Sequence, residues 1–350
     1  MSDIIYHYTN LDNGFKILEP EDKNELKFLT KETNAVLKKY LGKSNIEKND
    51  VIRDELTNIY SRYVGQSRNI NIWASDISKL NDKTEMEIGI KTIIDFLNLS
   101  SKDSVDGLSE VKGILNDDRC LKNIKKNSYI ISFSESEDDL NQWRLYSDNA
   151  QGLSIGFDKK MIKDISHEST LLRSFKVVYE QKEYKNLFDD IISEINLIGD
   201  HTEQFINGVT SNADLPHDMR IKIPLINQII QLQGLAGIAL SYKNSCFSSE
   251  NEYRIFINPL FSNIKKILTD SIDNIKNHVA TYIDNGKFFR STQNEIIQYK
   301  VLPLPINCIK RIFIGPKNHT DEEMLRDLLL SWDYNHKIDI VKSKWTGVYY

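Results

Sequence analysis

Cysteine is scarce in this chain. Its three copies, Cys120, Cys246 and Cys308, are odd in number and far apart, with no CxxC or Cys/His cluster around them. Neither a disulfide framework nor a zinc site is supported, and a reducing cytoplasm fits. Glycine and proline are thin as well, 15 and 7 residues of 350, about half of the usual ~12% share. Collagen-like, linker-like and low-complexity chains are thereby ruled out. A charge excess of one sign is also missing. The 45 basic and 50 acidic residues give a net charge of −5. That argues against a surface coated in positive charge for non-specific nucleic-acid binding, while a local basic groove stays open.

Familiar chemical signatures are missing too. No GxGxxG follows a strand, and neither GxxxxGK[ST] nor HExxH occurs, so dinucleotide or triphosphate handling by a glycine loop is not indicated. The seven histidines, at 7, 167, 201, 217, 278, 319 and 336, contain no pair with metal spacing, so no metal is expected. The start, MSDIIYHYTN, lacks a basic segment followed by an apolar one, so no signal peptide is expected. Residues 223–242 carry no charge. Asn227, Gln228, Gln231 and Gln233 interrupt the run, which suits a buried soluble helix better than a membrane span.

What is present reads as an α+β chain, a single domain over 1–350 with helical insertions near 20–70, 100–127, 185–243 and 262–281. Residues 1–18 predict a strand, IIYHYT, with Ile5, His7 and Thr9 on one face and Ile4, Tyr6 and Tyr8 on the other, followed by a helical turn. Further strands are expected at 71–76, 129–135, 152–158, 174–180, 253–258, 297–303, 311–315 and 337–342. A helix with apolar residues Met86, Ile90, Ile93, Ile94 and Leu97 follows Asp82, a short one starts at Asp138, and another starts at Asp321.

Three segments carry candidate chemistry: Tyr6-His7-Tyr8-Thr9, Ser132-Phe133-Ser134 and Glu250-Asn251-Glu252. Taken singly, each has a plain structural explanation: a packed strand histidine, one polar strand face, a solvated acidic turn. Asn81, Asp82 and Glu85 are catalytic candidates with a structural explanation as well, Asp82 as N-cap and Glu85 at the third helical position. Trp143 and Tyr146, three apart on a short helix, suit either core packing or an aromatic wall. The lysines at 122, 125 and 126 and at 265 and 266 read first as solvated helix faces.

Together, in this order, the three segments resemble the ADP-ribosyltransferase superfamily: an N-terminal strand with His, a central strand with Ser-x-Ser, and a late strand opened by Glu-x-Glu. A closer resemblance covers most of the chain. IYHYTN, IWASDISKLNDKTE, ISFSE, QWRLYSDNAQGLSIGFD, VVYE, ENEYRI and RIFIGPKN are similar to the successive motifs of a bacterial family, domain of unknown function 2971. Lys83 departs from that family's usual Pro after Asn81-Asp82.

The resemblance implies an ADP-ribosyltransferase-like mixed or antiparallel β core and an enzyme that uses NAD as substrate. Breaking the nicotinamide–ribose bond passes through an oxocarbenium-like transition state. Glu252 would stabilise that charge and hold the ribose, and Glu250 would position or deprotonate the acceptor. His7, Tyr8, Thr9, Ser132, Ser134, Trp143, Tyr146 and Arg254 would hold NAD, with Arg144 and Arg254 as candidate pyrophosphate donors. The implied biology is a cytoplasmic bacterial toxin or anti-phage effector acting on RNA or protein, with an antitoxin as a possible partner. The competing expectations are a non-catalytic binding module on a degenerate transferase fold and a nucleic-acid-processing enzyme. The latter is disfavoured because no clustered acidic metal site is readable.

Overall fold

In the computed structural model the described residues are 3–20, 69–79, 85–99, 122, 128–168, 172–186, 236–257, 288–291, 295–332, 334 and 336–347. Most of the four expected insertions, together with Asn81 and Asp82, lies outside them. Among the described residues no helix is long and apolar enough to cross a membrane.

Among the described residues, alternating and β-branched runs build ten strands: β1 (Ile4–Thr9), β2 (Asn69–Asp76), β3 (Tyr129–Ser134), β4 (Leu153–Asp158), β5 (Leu172–Lys176), β6 (Glu252–Ile257), β7 (Phe288–Ser291), β8 (Ile296–Pro305), β9 (Ile309–Ile314) and β10 (Asp339–Lys342). They form one sheet in the order β10-β9-β4-β1-β3-β2-β8-β7, with β6 added to β3 and β5 to β6. Every strand pair is antiparallel except β9 with β10. The helices among the described residues are α1 (Leu11–Leu18), α2 (Glu85–Leu99), α3 (Leu140–Tyr146), α4 (Lys159–Glu168) and α5 (Glu322–Ser331). This is the expected α+β, mainly antiparallel architecture.

Two elements escape the sequence pattern. Helix α4 follows β4 with no glycine or proline between, and the Asp158 carboxylate starts it by accepting from Met161 N. Strand β7 is only four residues long, too short for a clear period. The strand expected at 174–180 ends at Lys176, and Val178 then makes a lone bridge to Tyr242. The acidic turn before β6 is a 3-10 helix, Ser245–Glu250.

The sheet is packed on both faces. Ile131 and Phe133 of β3 join Tyr253 and Ile255 of β6 in the larger core, with Ile5 and Phe157. Ile130 and Phe256 face the other way, onto Met86, Ile90 and Ile93 of α2 and onto Ala239 and Leu240. Residues 236–240 are a helical turn, all of them buried, while 223–235 of the uncharged run lie outside the described residues. A Cβ at Gly89 would lie 2.0 Å from Ala239 O. Helix α2 and that turn therefore meet backbone to backbone, which only glycine permits.

One irregularity shapes everything that follows. On one edge β3 is paired throughout with β6, from Tyr129↔Ile257 to Ser134↔Glu252. On its other edge two strands share it. β2 pairs only at Ile130 and Tyr129, and β1 only at Ser134. Between those contacts Ile131, Ser132 and Phe133 lack a strand partner on that side, and the sheet opens into a cleft.

The turn after β3 is anchored by Asp138, a buried residue with φ of 49°. Its carboxylate accepts from Trp143 Nε1 at 2.7 Å, Ser343 Oγ at 2.5 Å and Lys344 N at 2.8 Å. This ties the C-terminal segment to the start of α3. Replacing Asp138 by Ala strands three donors, so a loss of roughly 2–4 kcal/mol in urea unfolding is expected, given ~1–3 kcal/mol per buried unpaired group.

Candidate active site

The cleft at the split has a volume of about 330 Å³. One wall is β1 with α3; the other is β2 with β7 and β8. β3 and β6 form the floor, and Lys243 and Glu250 close one end. His7, Ser132 and Glu252, spread over 245 positions of the sequence, all line it.

Register explains the floor. Ser132 lies opposite Arg254 and Ser134 opposite Glu252, so the four side chains share one face of the sheet. Arg254 is fully buried and forks onto Glu252, with Nε to Oε1 at 2.9 Å and Nη2 to Oε2 at 2.7 Å. Its Nη1 donates to Leu240 O at 2.7 Å. The turn that packs against Gly89 thus caps the arginine from above. The same segment continues to Lys243, whose ammonium reaches Glu250 Oε2 at 2.5 Å and Glu252 Oε2 at 3.3 Å. Tyr146 completes the group by donating to Glu250 Oε1 at 2.9 Å.

These contacts decide the charge state of Glu252. Burial opposes ionisation, but the Arg254 guanidinium and the Lys243 ammonium, with hydrogen bonds from Arg254 and Ser132, outweigh it and bring the carboxyl down to about 2. Glu252 is therefore a fixed carboxylate near neutral pH, suited to holding a hydroxyl or facing a developing positive charge rather than to shuttling protons. Tyr179 steadies it from behind, its hydroxyl accepting from Glu252 N at 3.0 Å.

His7 occupies the gap in the β3 edge. Its Nδ1–H donates to Ser132 O at 3.0 Å, because a carbonyl can only accept, and Nε2 is left as the acceptor nitrogen. Burial lowers the basicity of the imidazole, and the charge on Arg290 lowers it further, against the Ser132 hydrogen bond that raises it. The ring also meets Phe133 edge-on, with centroids 5.8 Å apart.

The other expected ligand-binding residues divide. Tyr8 and Thr9 line the cleft, and the Tyr8 hydroxyl is taken up by Ser136 O and Asp139 N. Ser134 lines it too, but its hydroxyl donates to Glu250 O at 2.7 Å and so shapes the acidic turn. Tyr146 presents a half-buried ring. Trp143 does not reach the cleft. It is fully buried, T-shaped on Tyr8 at 5.0 Å, in a small core with Tyr6 and Phe313, so core packing accounts for it. Arg144 is exposed and off the cleft. Glu85 begins α2.

Sequence reasoning passed over Lys243, Arg290, Trp73 and Gln142, all of which line the cleft. Lys243 had a readable signal: it is the first charge after twenty uncharged residues, where a lone cation is unexpected unless paired. Residues 152–156 also spell GLSIG, the GxSxG pattern of a nucleophile elbow. Here it lies in β4 with Ser154 fully buried between β1 and β9, not on a strand-to-helix turn, so it is structural. Among the described residues no group of three or more His, Cys, Asp and Glu could hold a metal ion.

A family described as "Protein of unknown function (DUF2971)" matches residues 142–255. The matched stretch runs from α3 to β6 and includes Lys243, Glu250, Glu252 and Arg254. No curated protein and no solved structure matches the chain.

Proposed function

We propose that this chain is an NAD-dependent ADP-ribosyltransferase with an ADP-ribosyltransferase-like core, acting in the cytoplasm as a bacterial toxin or anti-phage effector on RNA or protein, with an antitoxin among its partners. The observation that carries the reading is the meeting of His7, Ser132 and Glu252, from three distant strands, in one cleft where the edge of β3 is unpaired. The order of motifs in the sequence and the geometry of the cleft point the same way.

In this reading the C1′–N bond of NAD breaks, nicotinamide leaves with the electron pair, and an acceptor hydroxyl, amine or ring nitrogen attacks C1′ and releases its proton. Glu252 holds the ribose 2′-hydroxyl and faces the oxocarbenium charge. Glu250, hydrogen-bonded to Tyr146 and paired with Lys243, stands two residues away to orient the acceptor. Nε2 of His7 accepts from a ribose hydroxyl. The rings of Tyr146 and Trp73 offer flat surfaces for nicotinamide.

One observation favours the second reading, a non-catalytic nucleotide-binding module: both carboxylates already have cationic partners. Labelled NAD incubated with the protein and a cell lysate, followed by protease or nuclease, separates the two. Label moving into protease- or nuclease-sensitive material supports the transferase. NAD bound but never consumed supports the module.

His7→Ala is expected to weaken NAD binding roughly tenfold, the loss of one neutral hydrogen bond, with little change at saturating NAD. The pH dependence follows from the lowered basicity of His7. The neutral ring is the binding form, so wild-type affinity should be flat above pH 6.5 and fall on acidification below it, and His7→Ala should flatten that fall. Calorimetry of NAD binding between pH 5 and 8 checks both.

A further inference from the structure

Among the described residues, five charged side chains line the cleft: Lys243, Arg254 and Arg290 against Glu250 and Glu252. Lys243 and Arg254 are engaged with the two carboxylates. Arg290 is different. It projects from β7 and reaches over β8 to β2, where Nη2 donates to Ser75 Oγ at 2.8 Å. The guanidinium lies 5.8 Å from the centre of the Trp73 ring. Its Nε is buried and donates to nothing among the described residues, and no carboxylate pairs with it there.

A half-buried cation held by a hydroxyl and an aromatic face, with no anion beside it among the described residues, is costly unless something else supplies the charge. Among the described residues the cleft carries one positive charge in excess, within a chain of net charge −5. A guanidinium that lines the cleft and has Nη donors beyond the one given to Ser75 matches the two-oxygen geometry of a phosphate group better than any neutral ligand. We infer that Arg290, with Ser75 and Trp73 holding it in place, binds the diphosphate of a dinucleotide lying along the cleft. This rests on the NAD reading for the identity of the ligand. It places the phosphates beside the β2–β8–β7 wall and the reacting ribose near Glu252. It also replaces Arg144 and Arg254 as the expected pyrophosphate donors, since the first is off the cleft and the second is committed to Glu252.

The test is calorimetric titration of the full chain with ADP-ribose, adenosine and inorganic pyrophosphate, for wild type, Arg290→Gln and Arg290→Lys. Gln can still donate to Ser75; Lys keeps the charge without the fork. Arg290→Gln is expected to weaken ADP-ribose about 10- to 100-fold, the range for a charged hydrogen bond, leave adenosine unchanged and abolish pyrophosphate binding. Arg290→Lys should fall between. Equal weakening of adenosine and ADP-ribose, or unchanged ADP-ribose affinity in a folded Arg290→Gln protein, overturns the assignment while the NAD reading stands. Pyrophosphate binding that depends on Arg290, with no binding of ADP-ribose or adenosine, keeps the anion site and overturns the NAD reading. An Arg290-dependent affinity for a single-stranded RNA oligonucleotide exceeding that for ADP-ribose assigns the phosphate to the acceptor and overturns the dinucleotide diphosphate.

Discussion

Glu252→Gln is expected to reduce ADP-ribosyl transfer by roughly 10²–10³-fold while NAD affinity stays near that of the wild type. The change keeps size and leaves an oxygen to accept from Arg254, but it removes the charge that would face the oxocarbenium ion. His7, Tyr146 and Arg290 are untouched, so ground-state binding persists. The magnitude follows from the loss of one preorganised group rather than from the bare charge, because Arg254 and Lys243 already offset part of the carboxylate's field. Those cations also complicate the variant: without Glu252 the group holds two cations and one carboxylate. Glu252→Gln combined with Lys243→Met restores the balance. The double variant should regain stability and stay inactive. Label transfer from NAD, NAD affinity and thermal melting, measured on both, check the point. A folded Glu252→Gln protein with undiminished transfer removes Glu252 from the catalytic role and leaves the function resting on fold analogy.

Much of the sheet is legible in the sequence because each strand is locally consistent. IIYHYT, YIISFS and YRIFIN alternate or run apolar and are bounded by polar turns, and all three lie where expected. Their meeting point is legible only as motif order, since periodicity says nothing about which strand shares an edge with which. The split edge of β3 depends on where β1 and β2 stop pairing, a tertiary outcome with no local signature. The cations were hidden for the same reason. Lys243 and Arg290 lie in segments whose own patterns announce nothing, and only the fold brings them beside Glu250, Glu252 and His7. Trp143 shows the opposite failure. Its spacing from Tyr146 placed both on one helix face, but α3 is only seven residues long and its inner turn is swallowed by Tyr8 and Phe313. One aromatic became core and the other cleft.

Arg254→Met is expected to destabilise the fold by about 3–5 kcal/mol, the cost of leaving a buried charge without its partner. Arg254 and Glu252 are both almost fully buried, and the guanidinium is the larger of the two attractions that keep the Glu252 carboxyl at about 2, against an ordinary 4.5. Because the folded-state value is the lower one, the stabilisation is fully present above pH 4.5 and is lost as pH falls toward 2. The gap corresponds to about 3 kcal/mol, consistent with the expected loss. Wild-type stability should therefore decline through that acidic window, and Arg254→Met should flatten the decline as well as lower the plateau at pH 7. A companion variant separates charge from packing. Arg254→Met with Glu252→Leu removes both ends of the pair and leaves Lys243 with Glu250. Apolar replacement of a buried pair is often neutral, so the double variant should recover most of the lost stability while remaining inactive. Urea unfolding of the three proteins at pH 7 and at pH 3 measures the cycle. If the single and double variants are equally unstable, the fork onto Glu252 matters through the Leu240 hydrogen bond and side-chain volume, not through charge. The carboxylate would then lose its claim to being held ionised for catalysis.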